Sequence, residues 1–115
     1  MDRKQELLRL LDGIKDKCVI VEGIKDKMAL AKFGIRNVMM LSRVPLYKVV
    51  ENIAKKYKEC VILTDLDKKG KILYAKLNSK LPQMGVYVDN KLRHFLFRHT
   101  KLRQIEGLVR HIDKL

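Results

Sequence analysis

Four short apolar runs constrain the fold more than any other feature of this chain. They are Cys18-Val19-Ile20-Val21, Val38-Met39-Met40-Leu41, Cys60-Val61-Ile62-Leu63 and Val86-Tyr87-Val88. None alternates apolar with polar residues, so none suits a strand with one face in water. Runs of this kind belong to strands covered on both faces, as in parallel sheets. The first run ends abruptly at Glu22-Gly23, the third at Thr64-Asp65 and the fourth at Asp89-Asn90.

The segments between the runs have helical spacing. Leu7, Leu8, Leu11 and Ile14 predict a helix before the first strand, with Gly13 as a stop. Ile24, Met28 and Ala31 form one stripe of a helix expected over 24–33, which Gly34 closes. Ser42-Arg43-Val44-Pro45 reads as a loop, and Pro45 suits the first turn of the next helix. That helix carries Leu46, Val49, Val50, Ile53 and Tyr57. After Gly70, the stripe Ile72, Leu73, Leu77, Leu81 runs to Pro82, which should end it. Strands alternating with amphipathic helices predict a three-layer α/β/α fold on a four-stranded parallel sheet, Rossmann-like, with right-handed crossovers. With 115 residues, 47% hydrophobic and 34% charged, the chain fits one globular domain. Its core is expected at 17–89 and a basic helical tail at 90–115.

In that tail, Leu102, Ile105, Leu108, Val109 and Ile112 predict one further helix, which Thr100 would cap. Its apolar stripe would dock on the sheet or on a second copy of the chain. Seven cations stand in 91–115: Lys91, Arg93, Arg98, Lys101, Arg103, Arg110 and Lys114. Only Glu106 and Asp113 oppose them. They form either a solvated face or a phosphate-binding one.

The whole chain has 26 Lys+Arg against 13 Asp+Glu, a formal charge of +13. Such an excess favours polyanions, nucleic acid before an acidic membrane surface. Lysines number 18 and arginines 8, which suits phosphate contact more than base reading. With no Trp and few Tyr or Phe, a single-strand platform built on stacked aromatics is poorly supported. No apolar run approaches the roughly 20 residues that span a bilayer, and no signal-peptide pattern opens the chain. Cys18 and Cys60 lack metal-ligand spacing and read as buried free thiols, close together if their strands are neighbours. A cytoplasmic location is the expectation.

Chemistry concentrates at the strand ends. Ligands of open parallel sheets bind beyond the carboxyl ends of the strands. Glu22 ends the first strand, and Asp65 and Asp67 end the third. A strand order of 2-1-3-4 would bring these carboxylates together. Convergent carboxylates repel, and a divalent cation relieves the repulsion. Oxygen ligands without His or Cys select Mg²⁺ or Mn²⁺. The competing reading of Asp67, ahead of Lys68-Lys69-Gly70, is a helix cap. It leaves Glu22 unexplained, since Glu is a poor N-cap.

The segments Val19-Ile-Val-Glu22-Gly23-Ile-Lys-Asp26 and Val61-Ile-Leu-Thr-Asp65-Leu-Asp67-Lys-Lys-Gly70 together resemble the Toprim domain, over roughly 17–89. Topoisomerases, bacterial-type primases, some nucleases and recombination proteins share that fold. The start Glu-Gly-x-x-Asp and the closing Gly70 look most like small stand-alone Toprim proteins, including the nuclease that matures 5S ribosomal RNA. The resemblance implies that Asp65 and Asp67 hold Mg²⁺. It makes Glu22 a general acid or base, or a further ligand. Asp26 would orient Glu22 or complete the site, unless it is an ordinary first-turn acid. Gly23 would let the backbone approach a phosphate or serve a tight turn. Lys25, Lys68 and Lys69 would bind phosphates or remain solvated. Arg93, Arg98, Lys101 and Arg103 extend the candidate nucleic-acid surface into the tail.

A topoisomerase of this type needs a tyrosine nucleophile on another domain, and Tyr47, Tyr57, Tyr74 and Tyr87 all fall in core elements. A primase needs a zinc module that the sequence lacks. The expected function is Mg²⁺-dependent cleavage of nucleic acid, structured RNA favoured, with ribosomal RNA processing as one setting. The alternative is a non-catalytic nucleic-acid or ribosome-associated module that keeps the metal site, alone, as a homodimer or with a protein partner. A nucleotide-binding domain ranks below both, because no Walker loop or GxGxxG turn is present.

Overall fold

A computed structural model describes residues 1–115. In chain order the elements are α1 (Arg3–Gly13), β1 (Cys18–Val21), α2 (Ile24–Ala31), β2 (Val38–Met40), α3 (Leu46–Lys56), β3 (Glu59–Ile62), α4 (Lys68–Gln83), β4 (Tyr87–Asp89), α5 (Lys91–His99), a 3₁₀ turn (Ile105–Gly107) and α6 (Leu108–Ile112). The strands form one parallel sheet in the order β2-β1-β3-β4. This is the expected order. Cys18 and Cys60 are register partners on adjacent strands, both buried and both free. Burial pushes the Cys18 thiol up to about 11 and the Cys60 thiol up to about 12.

The unalternated runs are explained by two cores, one on each face of the sheet. On one face Val19, Val21, Val61 and Leu63 pack with Leu7 and Leu11 of α1, Leu30 of α2, Leu92 and Leu96 of α5, and Leu108 of α6. On the other, Cys18, Ile20, Cys60 and Ile62 pack with Val49 and Ile53 of α3 and Leu77 and Leu81 of α4. Successive strand residues point to opposite faces, so both sets must be apolar. Each fully buried Leu or Ile stabilises the fold by roughly 1.5–3 kcal/mol.

Three sequence expectations change here. The α2 stripe points outward: Ile24 and Met28 are 57% and 61% exposed, while Asp26, Ala29 and Leu30 are buried. Leu30 packs on the sheet, and that contact fixes which side of the helix faces inward. Within α4, Ile72 is exposed, and Pro82 does not end the helix, which runs on to Gln83. The stop is Gly85, whose φ of 83° a residue with a side chain rarely adopts. The tail is not one helix. Lys91–His99 already forms α5, and Thr100 follows as its C-cap, its hydroxyl donating to the Leu96 carbonyl at 2.6 Å. Finally, Leu102, Ile105, Leu108 and Ile112 are at most 6% exposed within the single chain. These residues of the stripe pack into the core on one face of the sheet, one of the two placements the sequence allowed.

Candidate metal centre

Strand register builds the centre. Ile20 pairs with Ile62, and the Leu63 N–H donates to the Ile20 carbonyl at 2.8 Å. The chain therefore leaves β1 at Glu22 beside the Thr64-Asp65 exit of β3. Glu22 Oε2 accepts the Asp65 N–H at 2.8 Å. Asp65 Oδ1 in turn accepts the Ile105 N–H at 2.9 Å. Asp67 caps α4, its Oδ1 accepting the Gly70 N–H at 2.9 Å. The cap leaves Asp67 within the acidic cluster, so capping does not preclude a ligand role. Each carboxylate is fixed by one backbone bond, and one oxygen from each of Glu22, Asp65 and Asp67 lies within 4.8 Å of the other two.

This cluster makes no ion pair, although the Arg93 guanidinium lies near enough to Asp65 and Glu22 to feel their charge. The ion pairs of the chain join Glu6 to Arg9, Asp12 to Lys15, and Lys17 to Glu59 and Asp89. None of the 26 Lys and Arg pairs with Glu22, Asp65 or Asp67. Burial pushes the Asp65 carboxyl up to about 6, with Asp26, Glu22 and Asp67 adding repulsion and the Ile105 N–H opposing. Three hard oxygen donors, held close and free of ion pairs, fit a divalent cation such as Mg²⁺.

The loop between the aspartates is braced from behind. The Thr64 side chain is fully buried and donates to the Gly70 carbonyl at 2.7 Å. A Cβ on Gly70 would collide with the backbone of Asp65, so the loop can close on the helix only over a glycine. Arg93 lies beneath the loop, not on the surface. It is 5% exposed, donates to the Thr64 and Asp65 carbonyls, and stacks 4.4 Å from the Tyr74 ring centroid. From the tail, the Arg103 carbonyl accepts the Leu66 N–H at 2.7 Å.

The remaining expected residues divide. Asp26 stays outside the cluster: it is 7% exposed and its Oδ2 accepts the Gly23 N–H at 3.1 Å, bracing the turn that carries Glu22. Burial raises its pKa, with Glu22 and Glu106 adding to the effect. Gly23 has extended backbone and open space around its missing Cβ, so the turn itself does not require glycine. Lys25 lines the cleft holding Glu22 and Asp65, together with Ser42 and Arg43. Lys68 and Lys69 are exposed in the first turn of α4. Lys101 and Arg103 line a second cleft, which contains Asp67 and also Arg110, His111 and Lys114. Arg98 lies apart from both, beside α4. Thr64, the Ile105 amide and the support given by Arg93 escaped the sequence reading. The Leu92–Leu96 spacing, with Arg93 next to it, was the available signal for a helix that buries an arginine.

Fold and site together define a Toprim-type metal-binding domain. The Toprim-like family profile matches residues 19–96, and the chain belongs to that family. Among its relatives, a UPF0292 protein of Pyrococcus abyssi is 44% identical over 102 residues, covering 88% of this chain and 73% of that one. A UPF0292 protein of Methanosarcina acetivorans is 34% identical, covering 100% and 83%. A solved structure of a putative protein from Aquifex aeolicus superposes with a TM-score of 0.80 at 33% identity, covering 90% of this chain and 95% of its own. No helix is long and apolar enough to cross a membrane.

Proposed function

We propose that this protein cleaves phosphodiester bonds in nucleic acid with a divalent metal ion, structured RNA being the preferred substrate. The observation that carries the reading is the close Glu22–Asp65–Asp67 cluster, without an ion pair, whose Asp67 also lines a basic cleft in a chain of +13. Of the three carboxylates, Asp67 shares that cleft with Lys101, Arg103, Arg110 and Lys114, while Glu22 and Asp65 line the neighbouring one with Lys25 and Arg43.

Mg²⁺ or Mn²⁺ held by Asp65, Asp67 and Glu22 supplies Lewis-acid polarisation of a scissile phosphate. Glu22 also stands where it can hold or move a proton, since only its Oε2 is committed to the Asp65 N–H. Lys25 and the cations of the second cleft bind flanking phosphates and set affinity without reading sequence. Preference for RNA, and for a ribosomal precursor, rests on the resemblance to stand-alone Toprim nucleases. A cytoplasmic setting accords with that substrate and with two buried thiols.

The test is cleavage of labelled structured RNA, single-stranded RNA and duplex DNA in Mg²⁺ or Mn²⁺. Wild type should give discrete products. Asp65→Asn/Asp67→Asn should lose turnover by roughly a hundredfold or more, the scale of one lost electrostatic stabiliser, and still bind RNA. Salt-sensitive binding by both proteins with no product from either would replace the nuclease with a binding module.

A further inference from the structure

A third cavity, of about 610 Å³, opens between α4 and α5 and is not part of the metal centre. Leu66, the residue between the two aspartates, forms part of its wall. No acid lines it. Its charged groups are Lys71, Arg93 and Arg98, with His94 beside them. Phe97 is 53% exposed there, and Lys71 Nζ sits 5.0 Å from its ring centroid.

A lone exposed phenylalanine needs no explanation. One in an acid-free basic cavity, within the 300–1,000 Å³ typical of ligand sites, presents a different chemistry. The half-exposed ring, with Lys71 over one face, offers its other face for stacking on a base. Lys71 offers a point charge for phosphate and Arg98 a planar fork. An acidic peptide would use the charges but not the ring. A duplex would use the charges but keeps its bases stacked on each other. Only an unpaired nucleotide uses both.

We propose that this cavity is a subsite for one unpaired nucleotide of a polynucleotide, its base against Phe97 and its phosphate between Lys71 and Arg98. The inference rests on the reading of the substrate as nucleic acid, and it adds that the substrate carries an unpaired nucleotide near the cleaved bond. A polymer is favoured over a free nucleotide because the Asp65-Leu66-Asp67 loop adjoins both sites, so one strand reaches from one to the other. Aromatic residues are too few for an extended single-strand platform, but a one-nucleotide subsite needs a single ring.

The experiment measures RNA binding in EDTA, where catalysis plays no part. The probes are one labelled hairpin with a short unpaired tail and the same hairpin with a blunt end. Wild type should bind the tailed hairpin roughly 5- to 100-fold more tightly, the range of one base–aromatic stack. Phe97→Ala and Phe97→Leu should abolish that preference and leave blunt-end affinity unchanged. Lys71→Ala/Arg98→Ala should weaken the tailed complex more than the blunt one. Because the chain has no tryptophan, Phe97→Trp places a single reporter, which tailed RNA should quench and blunt RNA should not.

Equal affinity of wild type for the two hairpins overturns the subsite, as does an equal loss for both in Phe97→Ala. Competition by micromolar adenosine or cytidine monophosphate would make the site one for free nucleotides and overturn the polymer assignment. Absence of all RNA binding by wild type at low salt removes the subsite and the nuclease reading together. Tail preference without metal-dependent products defeats only the nuclease. Metal-dependent products without tail preference defeat only the subsite.

Discussion

Two glycines near the metal centre make opposite demands. A Cβ on Gly70 would overlap the Asp65 backbone, whereas nothing lies near the position a Cβ would take on Gly23. Gly70→Ala must therefore move the aspartate loop. It is expected to cost about 3 kcal/mol in urea unfolding and to abolish Mn²⁺ binding by calorimetry. Gly23→Ala should leave unfolding nearly unchanged. If it nevertheless lowers RNA affinity, the glycine serves close approach of a phosphate, since its own φ of −154° suits any residue. Asp65 shows the tension at this scale most directly. Without metal its folded pKa, about 6, lies above the roughly 3.9 of an unfolded aspartate. The folded state then binds the proton more tightly, so stability falls as pH rises between about 4 and 6 and stays low above that. Asp65→Asn removes the charge and keeps an acceptor for the Ile105 N–H. In EDTA it should be more stable than wild type at pH 7.5 by about 1 kcal/mol, allowing for solvent screening, and equal to it at pH 3.5. Added Mn²⁺ should stabilise wild type and leave the variant unmoved.

At the scale of elements, the sheet and its helices up to β4 were legible because two independent signals agreed. The strands are unalternated, and the segments between them repeat at three and four. The Glu22 and Asp-x-Asp positions were legible too, since both fall where a buried run stops. The tail was not. Arg93 and Arg98 look like members of a basic surface, and only the packed structure separates them: both line one cavity, but Arg93 is buried under the loop and Arg98 is exposed. Ile24 and Met28 misled for a related reason, because apolar character alone does not say which side of a helix meets the sheet. The helix α5 thus has a function that no motif announces, as its Arg93 holds two successive carbonyls of the metal loop. Arg93→Lys keeps the charge but loses the fork, so it should fold and bind Mn²⁺ about tenfold more weakly, the scale of a lost outer support to metal ligands. Arg93→Met leaves those carbonyls without their buried donors. It should cost about 3 kcal/mol in the same unfolding assay.

Across the whole molecule, a charge of +13 surrounds a small centre that is locally negative. The two fields act on a polyanion in opposite directions, and their balance depends on whether metal is present. The long-range field comes from many exposed lysines and arginines, and under the proposed function it would draw RNA in with a strong salt dependence. Each phosphate-contacting cation that is removed should lower the slope of log affinity against log salt by about 1. Lys101→Ala/Arg103→Ala/Arg110→Ala should therefore flatten it by about 2–3. The short-range field of Glu22, Asp65 and Asp67 repels any phosphate brought to the cleft while no cation fills it. In EDTA, then, Asp65→Asn/Asp67→Asn should bind RNA more tightly than wild type, roughly fivefold, which corresponds to about 1 kcal/mol of screened repulsion. With Mg²⁺ present, wild type should close that gap and the variant should not change. Identical affinities of the two proteins in EDTA would mean that the bound phosphates never come near the acids, and the cleavage site would have to be sought away from them.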